Sequence, residues 1–364
     1  MPVQVSSSPA TSLAARFAQR QRVRARRERW LRGGLAFAAV LLGVLAVAMP
    51  LFLLASTRIT PGWSETLLPL VAGSFKAAFY ALSVAAPLAL GAAIWCARFA
   101  APRLRQLLKP LFELLEAVPV VVLGLVAALL LAPWLAQRVL ALAIFVAALV
   151  PVLAASGALW QHAAPRRWQR ALVGHEVGLS LPVLVLLAWA ALVAGEAFAT
   201  HVSAAIIQPQ TPWNALVVGI MLGLAVMPTM FTLAEDALFA VPAEFALGAQ
   251  ALGATRWQAL VHLLLPIAAP GIVAALLLGF SRALGETMIV LMASGNTPLL
   301  DASPLTGLRS IAANLALEAP EAAPGSEHYG LLLLSALLLF GLCLLLNALA
   351  EHVRGRLRRR LAGL

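Results

Sequence analysis

Long apolar runs alternate with short basic or proline-rich interruptions along most of this chain. Crossing a bilayer as a helix takes about 20 mostly apolar residues. Runs that meet this fall at 33–55, 70–97, 111–133, 139–160, 179–200, 214–233, 267–292 and 329–350. The pattern predicts an all-α integral membrane protein with about eight transmembrane helices. Residues 134–200 are the least regular part, because Trp134, Gln137, Arg138 and Pro151 interrupt the apolar run. Two spans are read there, with a re-entrant pair as the alternative. Pro50, Pro61, Pro133, Pro320 and Pro324 sit at span ends, where a missing amide donor costs least. Neither a repeat of 20–50 residues nor a long linker marks off a second domain.

Composition agrees with lipid as the main solvent. Of 364 residues, 62% are hydrophobic and 11% charged, and the mean hydropathy is +0.92. A soluble domain of this size could not bury that much apolar surface. The net charge of +11 does not indicate a nucleic-acid binder, because the basic residues cluster in short segments between apolar runs. These segments are the N-terminal arginines (Arg16 to Arg32), Arg98–Lys109, Arg166–Arg170, Arg256 and Arg354–Arg360. Eight crossings put all of them on one face, with both termini cytoplasmic by the positive-inside rule. The first span reads as an uncleaved anchor, since its apolar stretch is too long for a signal peptide and lacks a clean cleavage site. Trp63, Trp134 and Trp213 at outer ends, with Trp30, Trp95 and Trp160 at inner ends, form an interfacial belt. Cys96 and Cys343 lie in apolar runs and read as core thiols. The six histidines lack metal-ligand spacing, so no metal site is expected. With no Gly-rich phosphate loop, any nucleotide would bind a partner.

Two stretches carry candidate chemistry. The first lies between the spans ending near Phe231 and starting at Pro266. Pro242 and Glu244 suit a helix start, while Gly248, Gly253 and Ala254 give a smooth surface for another protein. The chain is expected to turn at Leu265-Pro266 as it re-enters the membrane. A plain amphipathic interfacial helix is the alternative. The second stretch is Arg282 and Glu286, placed well inside the 267–292 span. Each charge would cost about 2.5–3.5 kcal/mol facing lipid at the bilayer centre. A spacing of four puts them on one helical face, about 6 Å apart along the axis. They form either a structural ion pair or, as intramembrane charges by default do, part of a pathway.

Other charged residues are weaker candidates. Lys76 suits snorkelling toward headgroups and anion attraction equally well. Glu113 and Glu116 are read as the N-terminal turn of the third span. Glu235-Asp236 are read as a solvated end of the sixth span, and Glu196 is assigned no role. Gly219 and Gly223 have the spacing that lets helices approach closely. An amphipathic stretch at 305–317 could lie flat on the membrane.

Gly253-Ala254, then Leu263, then Leu265-Pro266 resembles the cytoplasmic loop motif of bacterial ABC importer permeases: a Gly, nine residues, an aliphatic, one more, then Leu-Pro. In that family the loop forms a coupling helix that docks on the ATPase subunit. The family's usual Glu, six residues before the Gly, is Leu247 here, and the nearest acid is Glu244. A finer resemblance is to the phosphate-specific importer permeases, most like the C-type subunit. GSFKAAFYAL (73–82), LKPLFELLEAVPVVVLG (108–124), NALVVGIMLGLAVMPTMFTLAEDALFAVP (214–242), SRALGETMIVLMASGNTP (281–298) and TGLRSIAANLALEAPEA (306–322) carry it. It covers about 70–355 and is weakest at 134–213.

The resemblance implies a binding-protein-dependent ABC importer permease core in the bacterial inner membrane. Together with the charge and apolar runs, it divides the chain into a basic cytoplasmic segment (1–32), a first helix with a short external loop (33–69), a permease domain (70–350) and a basic cytoplasmic tail (351–364). The implied function is a phosphate permease subunit rather than an enzyme. Its partners would be a second permease, ATP-binding subunits and a periplasmic phosphate-binding protein, with ATP and Mg on the ATPase and no cofactor on this chain. Arg282 and Glu286 correspond to residues implicated in phosphate passage. Guanidinium forks match phosphate oxygens, and Ser281 and Thr287 could add hydroxyl donors. A permease for molybdate or sulfate would share the architecture. An integral-membrane enzyme would need a polar catalytic cluster at one interface, which the sequence does not offer.

Overall fold

The computed structural model describes residues 9–57, 63–165, 167, 176–199 and 211–362. The chain divides into two compact units, Met1–Thr57 and Arg58–Leu364. The first unit holds α1, Pro9–Ser56. The expected boundary between a basic segment and a first span thus falls inside one helix. Its Trp30–Ser56 portion is apolar enough to cross a membrane.

In the second unit the helices are α2 (Trp63–Arg98), α3 (Pro102–Glu116), α4 (Val120–Val126), α5 (Ala132–Ala136) and α6 (Val139–Ala163). They continue with α7 (Glu176–Ala199), α8 (Ala215–Phe239), α9 (Ala243–Ala251) and α10 (Arg256–Ala259). The remainder are α11 (Leu265–Leu284), α12 (Met288–Ala293), α13 (Ile311–Glu318) and α14 (Glu327–Ala362). Turns of π-helix, Ala127–Leu131 and Leu260–Leu264, join α4 to α5 and α10 to α11 without a break. Among the described residues seven helices are long and apolar enough to span a bilayer, or eight if one bent pair counts as a span.

Helix α8 is the centre of the unit. Asn214 caps it, its side-chain oxygen accepting from the amides of Leu216 and Val217. One side packs on α2 and another on α11, and α11 in turn packs on α14. Both α2 and α8 begin at the same end of the molecule. Ser74 accepts from the Ile311 amide, and the Ala215 amide donates to Thr306. At the opposite, basic end, an Arg98 Nη2–H donates to the Leu238 carbonyl at 2.6 Å. The two helices therefore run parallel.

The α2–α8 contact depends on the small residues flagged by their spacing. A Cβ at Gly219 would lie 2.6 Å from Tyr80 Cβ, and one at Gly223 would lie 2.8 Å from the Ala81 carbonyl oxygen. Neither position has room for a methyl group. Gly223→Val should cost about 2–3 kcal/mol by overpacking. That corresponds to a fall of about 5–10 °C in the detergent-solubilised melting midpoint, readable by heating followed by size exclusion.

Region 134–200 forms two full-length helices, α6 and α7, packed on each other, which agrees with the two-span reading and not with the re-entrant pair. Several other expectations are corrected. The bent element lies earlier, where Leu104–Glu116 and Val120–Ala136 meet at 82°. Pro119 removes an amide and disfavours helical backbone at Val118. Glu113 and Glu116 consequently end α3 instead of opening a span. The predicted 267–292 span is likewise broken, between Leu284 and Met288. The chain does not turn at Leu265-Pro266: proline in the first turn of α11 is compatible with helix, and the path from Arg256 to Leu284 is continuous. The turn comes earlier, at Leu252–Ala254, where Gly253 has φ +91°. Glu235 is 1% exposed rather than solvated. Within 305–317, Ile311, Ala312, Ala313 and Asn314 are buried in the protein against α2 and α14.

Candidate functional site

The two broken spans meet. Gly124 of α4 lies against α12: a Cβ there would be 3.2 Å from the Met288 carbonyl oxygen. On the other side of the breaks, Phe112 of α3 stacks on Phe231 of α8, with ring centroids 4.0 Å apart and planes 17° off parallel. That stack sets the last turn of α3 beside the middle of α8. It brings Glu116 against Thr229, whose hydroxyl donates to Glu116 Oε1 at 3.0 Å.

Arg282, in the last turn of α11, completes the group. Its Nη1 donates to Glu116 Oε1 at 2.7 Å and also contacts the Thr229 hydroxyl. The guanidinium thus pairs with a carboxylate 166 positions away, not with Glu286. Once the helix ends at Gly285, the i,i+4 geometry that would join Arg282 to Glu286 no longer exists. Glu286 instead turns to its own backbone, Oε1 accepting from the amides of Thr287 and Met288 at 3.0 Å each. A carboxylate in that position satisfies donors at the start of α12 that would otherwise be orphaned in an apolar setting.

The side chains of Arg282 and Glu116 are 37% and 44% exposed in the single chain, so the pair opens onto a surface. Guanidinium carries five N–H donors, and Nη1 alone makes both contacts. An oxyanion reaching this point would meet a cation whose existing partner is another oxyanion, and the two would compete for one fork.

The remaining candidates lie elsewhere. Ser281 is buried and directs its hydroxyl to the Cys343 carbonyl of α14 at 3.5 Å, away from the pair. The Thr287 hydroxyl is 3.5 Å from the Gly285 carbonyl, within the break. Lys76 sits at the far end of the unit, buried, its ammonium bonded to Asp301 and, at 2.8 Å, to Thr306. It neither snorkels nor stands open to an anion; it clips the 295–310 loop to α2. Thr229 and Glu116 were missed from sequence. Glu116 carried a signal, an acid one turn before Val-Pro in an amphipathic helix, but its partner is remote in the chain.

The loop clip has a pH signature. Burial pushes the Asp301 carboxyl up, yet the hydrogen bonds from Lys76 and Thr306 and the Lys76 charge outweigh it and hold the group below the usual carboxylate range. A lowered folded value means that the clip contributes fully above the ordinary carboxylate range and is lost as pH falls through the lower one. Asp301→Asn should therefore speed hydrogen exchange of the 295–310 amides at neutral pH. The parent should approach that rate only below about pH 4.

The turn between α9 and α10 is the other sequence-predicted site. Glu244 and Gly248 lie on α9, none of whose residues is buried. Leu247 is 65%, Leu252 91% and Trp257 62% exposed. Gly253 and Ala254 form the turn itself, and Thr255 with Gln258 builds a capping box that starts α10. Leu263 falls in the π turn and Leu265-Pro266 at the start of α11, so the motif spans both the exposed knob and the helix behind it.

Among the described residues, seven or eight spans, a bent α3–α4 pair packed against the break after α11, and an exposed helical knob make up a multi-span helical membrane protein. The family described as binding-protein-dependent transport system inner membrane component matches residues 152–359. The match covers more than half of the chain, and the chain belongs to that family. It is thus a multi-pass inner-membrane protein. The chain is 30% identical over 297 residues to phosphate transport system permease protein PstC 1 of Mycobacterium bovis, covering 80% of this chain and 72% of the relative. To the probable ABC transporter permease protein YqgH of Bacillus subtilis (strain 168) it is 26% identical over 289 residues, 79% and 72%. A shorter match, 35% identical over 144 residues (40% and 42%), is to phosphate transport system permease protein PstC of Xylella fastidiosa (strain Temecula1).

Proposed function

We propose that this chain is one transmembrane half of an importer that moves inorganic phosphate into the cytoplasm, driven by ATP hydrolysed on partner subunits. The observation that carries this reading is Arg282, held at the junction of two broken spans by Glu116 and Thr229. A guanidinium at that depth supplies bidentate donors to a phosphate, and Glu116 is the counter-charge the anion displaces on arrival and that returns after it leaves. The names of the relatives point to phosphate among oxyanions.

In this reading the knob made by Glu244, Gly248, Gly253 and Ala254, with Leu263, Leu265 and Pro266 behind it, docks on an ATPase subunit. The termini and the basic loops face the cytoplasm. A second permease covers the exposed side of the Arg282–Glu116 pair, and a periplasmic binding protein delivers phosphate at the 295–328 end. The permease domain is 70–350, flanked by the anchor and the basic ends, and ATP and Mg stay on the partner.

The test is reconstitution with the proteins encoded beside it, followed by ATP-dependent uptake of labelled phosphate with sulfate and molybdate as competitors. Uptake unaffected by either competitor is the expected result. Competition by molybdate or sulfate at equal concentration would reassign the substrate, and no ATP dependence would overturn the reading.

A further inference from the structure

The basic end holds a second charged site, built by different residues. Between the end of α2 and the start of α3 lies a cavity of about 510 Å³ lined by Cys96, Arg98, Arg105, Lys109 and Glu113 among others. Three cations and one carboxylate therefore face it. Arg105 is held in place from behind. Its Nε is 3.4 Å from the carboxylate of Glu235, which is 1% exposed and does not line the cavity, and its guanidinium lies 3.6 Å over the Phe239 ring. Arg98 is anchored through Nη2 to the Leu238 carbonyl, while its Nε is buried without a hydrogen-bond partner. Lys109 is exposed at the mouth.

A buried acid beside one arginine, a backbone carbonyl that anchors another, and an exposed lysine in the lining give the cavity donors that are largely held in place. The surplus of donors is what a tetrahedral oxyanion requires, since guanidinium and ammonium groups are its usual partners. The Glu235 oxygen that faces Arg105 is Oε1, buried and without a hydrogen bond, so the contact with Arg105 is one of charge. The position is connected to the central pair. Arg105, Lys109, Glu113 and Glu116 are spaced four, four and three residues apart on α3, one helical stripe running from the cavity to the Arg282 junction.

We propose that this cavity binds a phosphate group. The same chemistry is offered by a free phosphate ion leaving the Arg282 junction, an alternative that rests on the function proposed above, and by the headgroup of an anionic phospholipid at the membrane face. The cavity does not need the first source to be a binding site.

The complete transporter, stripped of lipid in detergent, is titrated with labelled inorganic phosphate. In parallel it is placed in phosphatidylcholine nanodiscs containing phosphatidylglycerol, and retained lipid is counted by mass spectrometry. Lys109→Glu should weaken one of these two interactions at least 10-fold, Lys109→Arg should preserve it, and Glu113→Gln, which removes the competing carboxylate, should tighten it several-fold. The arm that responds identifies the source. Both arms unchanged in Lys109→Glu and Glu113→Gln would overturn the proposal. Each titration is repeated on Arg282→Gln. That variant removes the central fork and leaves the cavity, so a failed cavity and a failed transport reading give different patterns.

Discussion

Arg282→Gln should lower ATP-dependent phosphate uptake by at least 100-fold while the complex still assembles and binds ATP. The size follows from what glutamine lacks. Charge-assisted hydrogen bonds contribute about 1.5–3 kcal/mol each, and losing a two-pronged contact to an oxyanion removes about 3–6 kcal/mol, or a factor of roughly 100 to 10,000. Glutamine also leaves Glu116 beside Thr229 without its cation. Breaking a fully buried pair costs about 3–5 kcal/mol; here both side chains are more than a third exposed, so about 1–2 kcal/mol is expected. Arg282→Gln combined with Glu116→Gln removes that penalty and should restore the parent's melting midpoint without restoring uptake. Normal uptake in the single variant would remove Arg282 from the pathway. Glu116→Gln alone separates the competitor from the structural partner. With no carboxylate to displace, phosphate should be held more tightly and released more slowly, so uptake falls at saturating substrate while apparent affinity rises.

The second large effect is expected at Gly253. With φ +91°, the residue occupies a region that L side chains reach at a cost of about 1–2 kcal/mol. The space around it is open, with nothing within 4 Å of an added Cβ. Gly253→Ala therefore tests the backbone alone, and Gly253→Trp adds bulk to the knob formed with Leu252 and Trp257. Alanine should reduce coupling a few-fold. Tryptophan should cut uptake more than 10-fold while ATP hydrolysis by the assembled complex persists. Equal effects of the two would assign the whole role to the shape of the turn. Unchanged coupling in both would count against docking there.

Much of the architecture was legible because a bilayer imposes a single strong period on the sequence. The spans at 70–97, 139–160, 179–200, 214–233 and 329–350 correspond to α2, α6, α7, α8 and α14 with shifts at their ends. The close approach at Gly219 and Gly223 was also readable, since only small residues at that spacing permit it. The breaks were not. Gly285 has apolar residues on both sides, and the count over 111–133 absorbs Glu113 and Glu116 among its leucines and valines, so hydropathy sees one long span where the backbone bends or stops. Missing the second break placed Glu286 on the wrong face, because spacing of four has meaning only inside a continuous helix. The true partner of Arg282 comes from α3, and local spacing carries no information about a residue 166 positions away. At Leu265-Pro266 the reverse holds: the proline suggests a turn, yet in the first turn of a helix it interrupts nothing.

The paired breaks also bear on how charge crosses the bilayer. Non-helical backbone at membrane depth is tolerated where it is buried in protein or lines a water-filled cavity, and Arg282 and Glu116, each more than a third exposed, mark where water would enter. With water at the junction, the transmembrane voltage would fall across the dry layer that remains, not across the full hydrocarbon thickness. A full crossing costs or gains about 2.3 kcal/mol per elementary charge per 100 mV. Nearly all of that electrical work would be concentrated in the short step past Arg282, where an arriving anion takes the place of a carboxylate already carrying a negative charge.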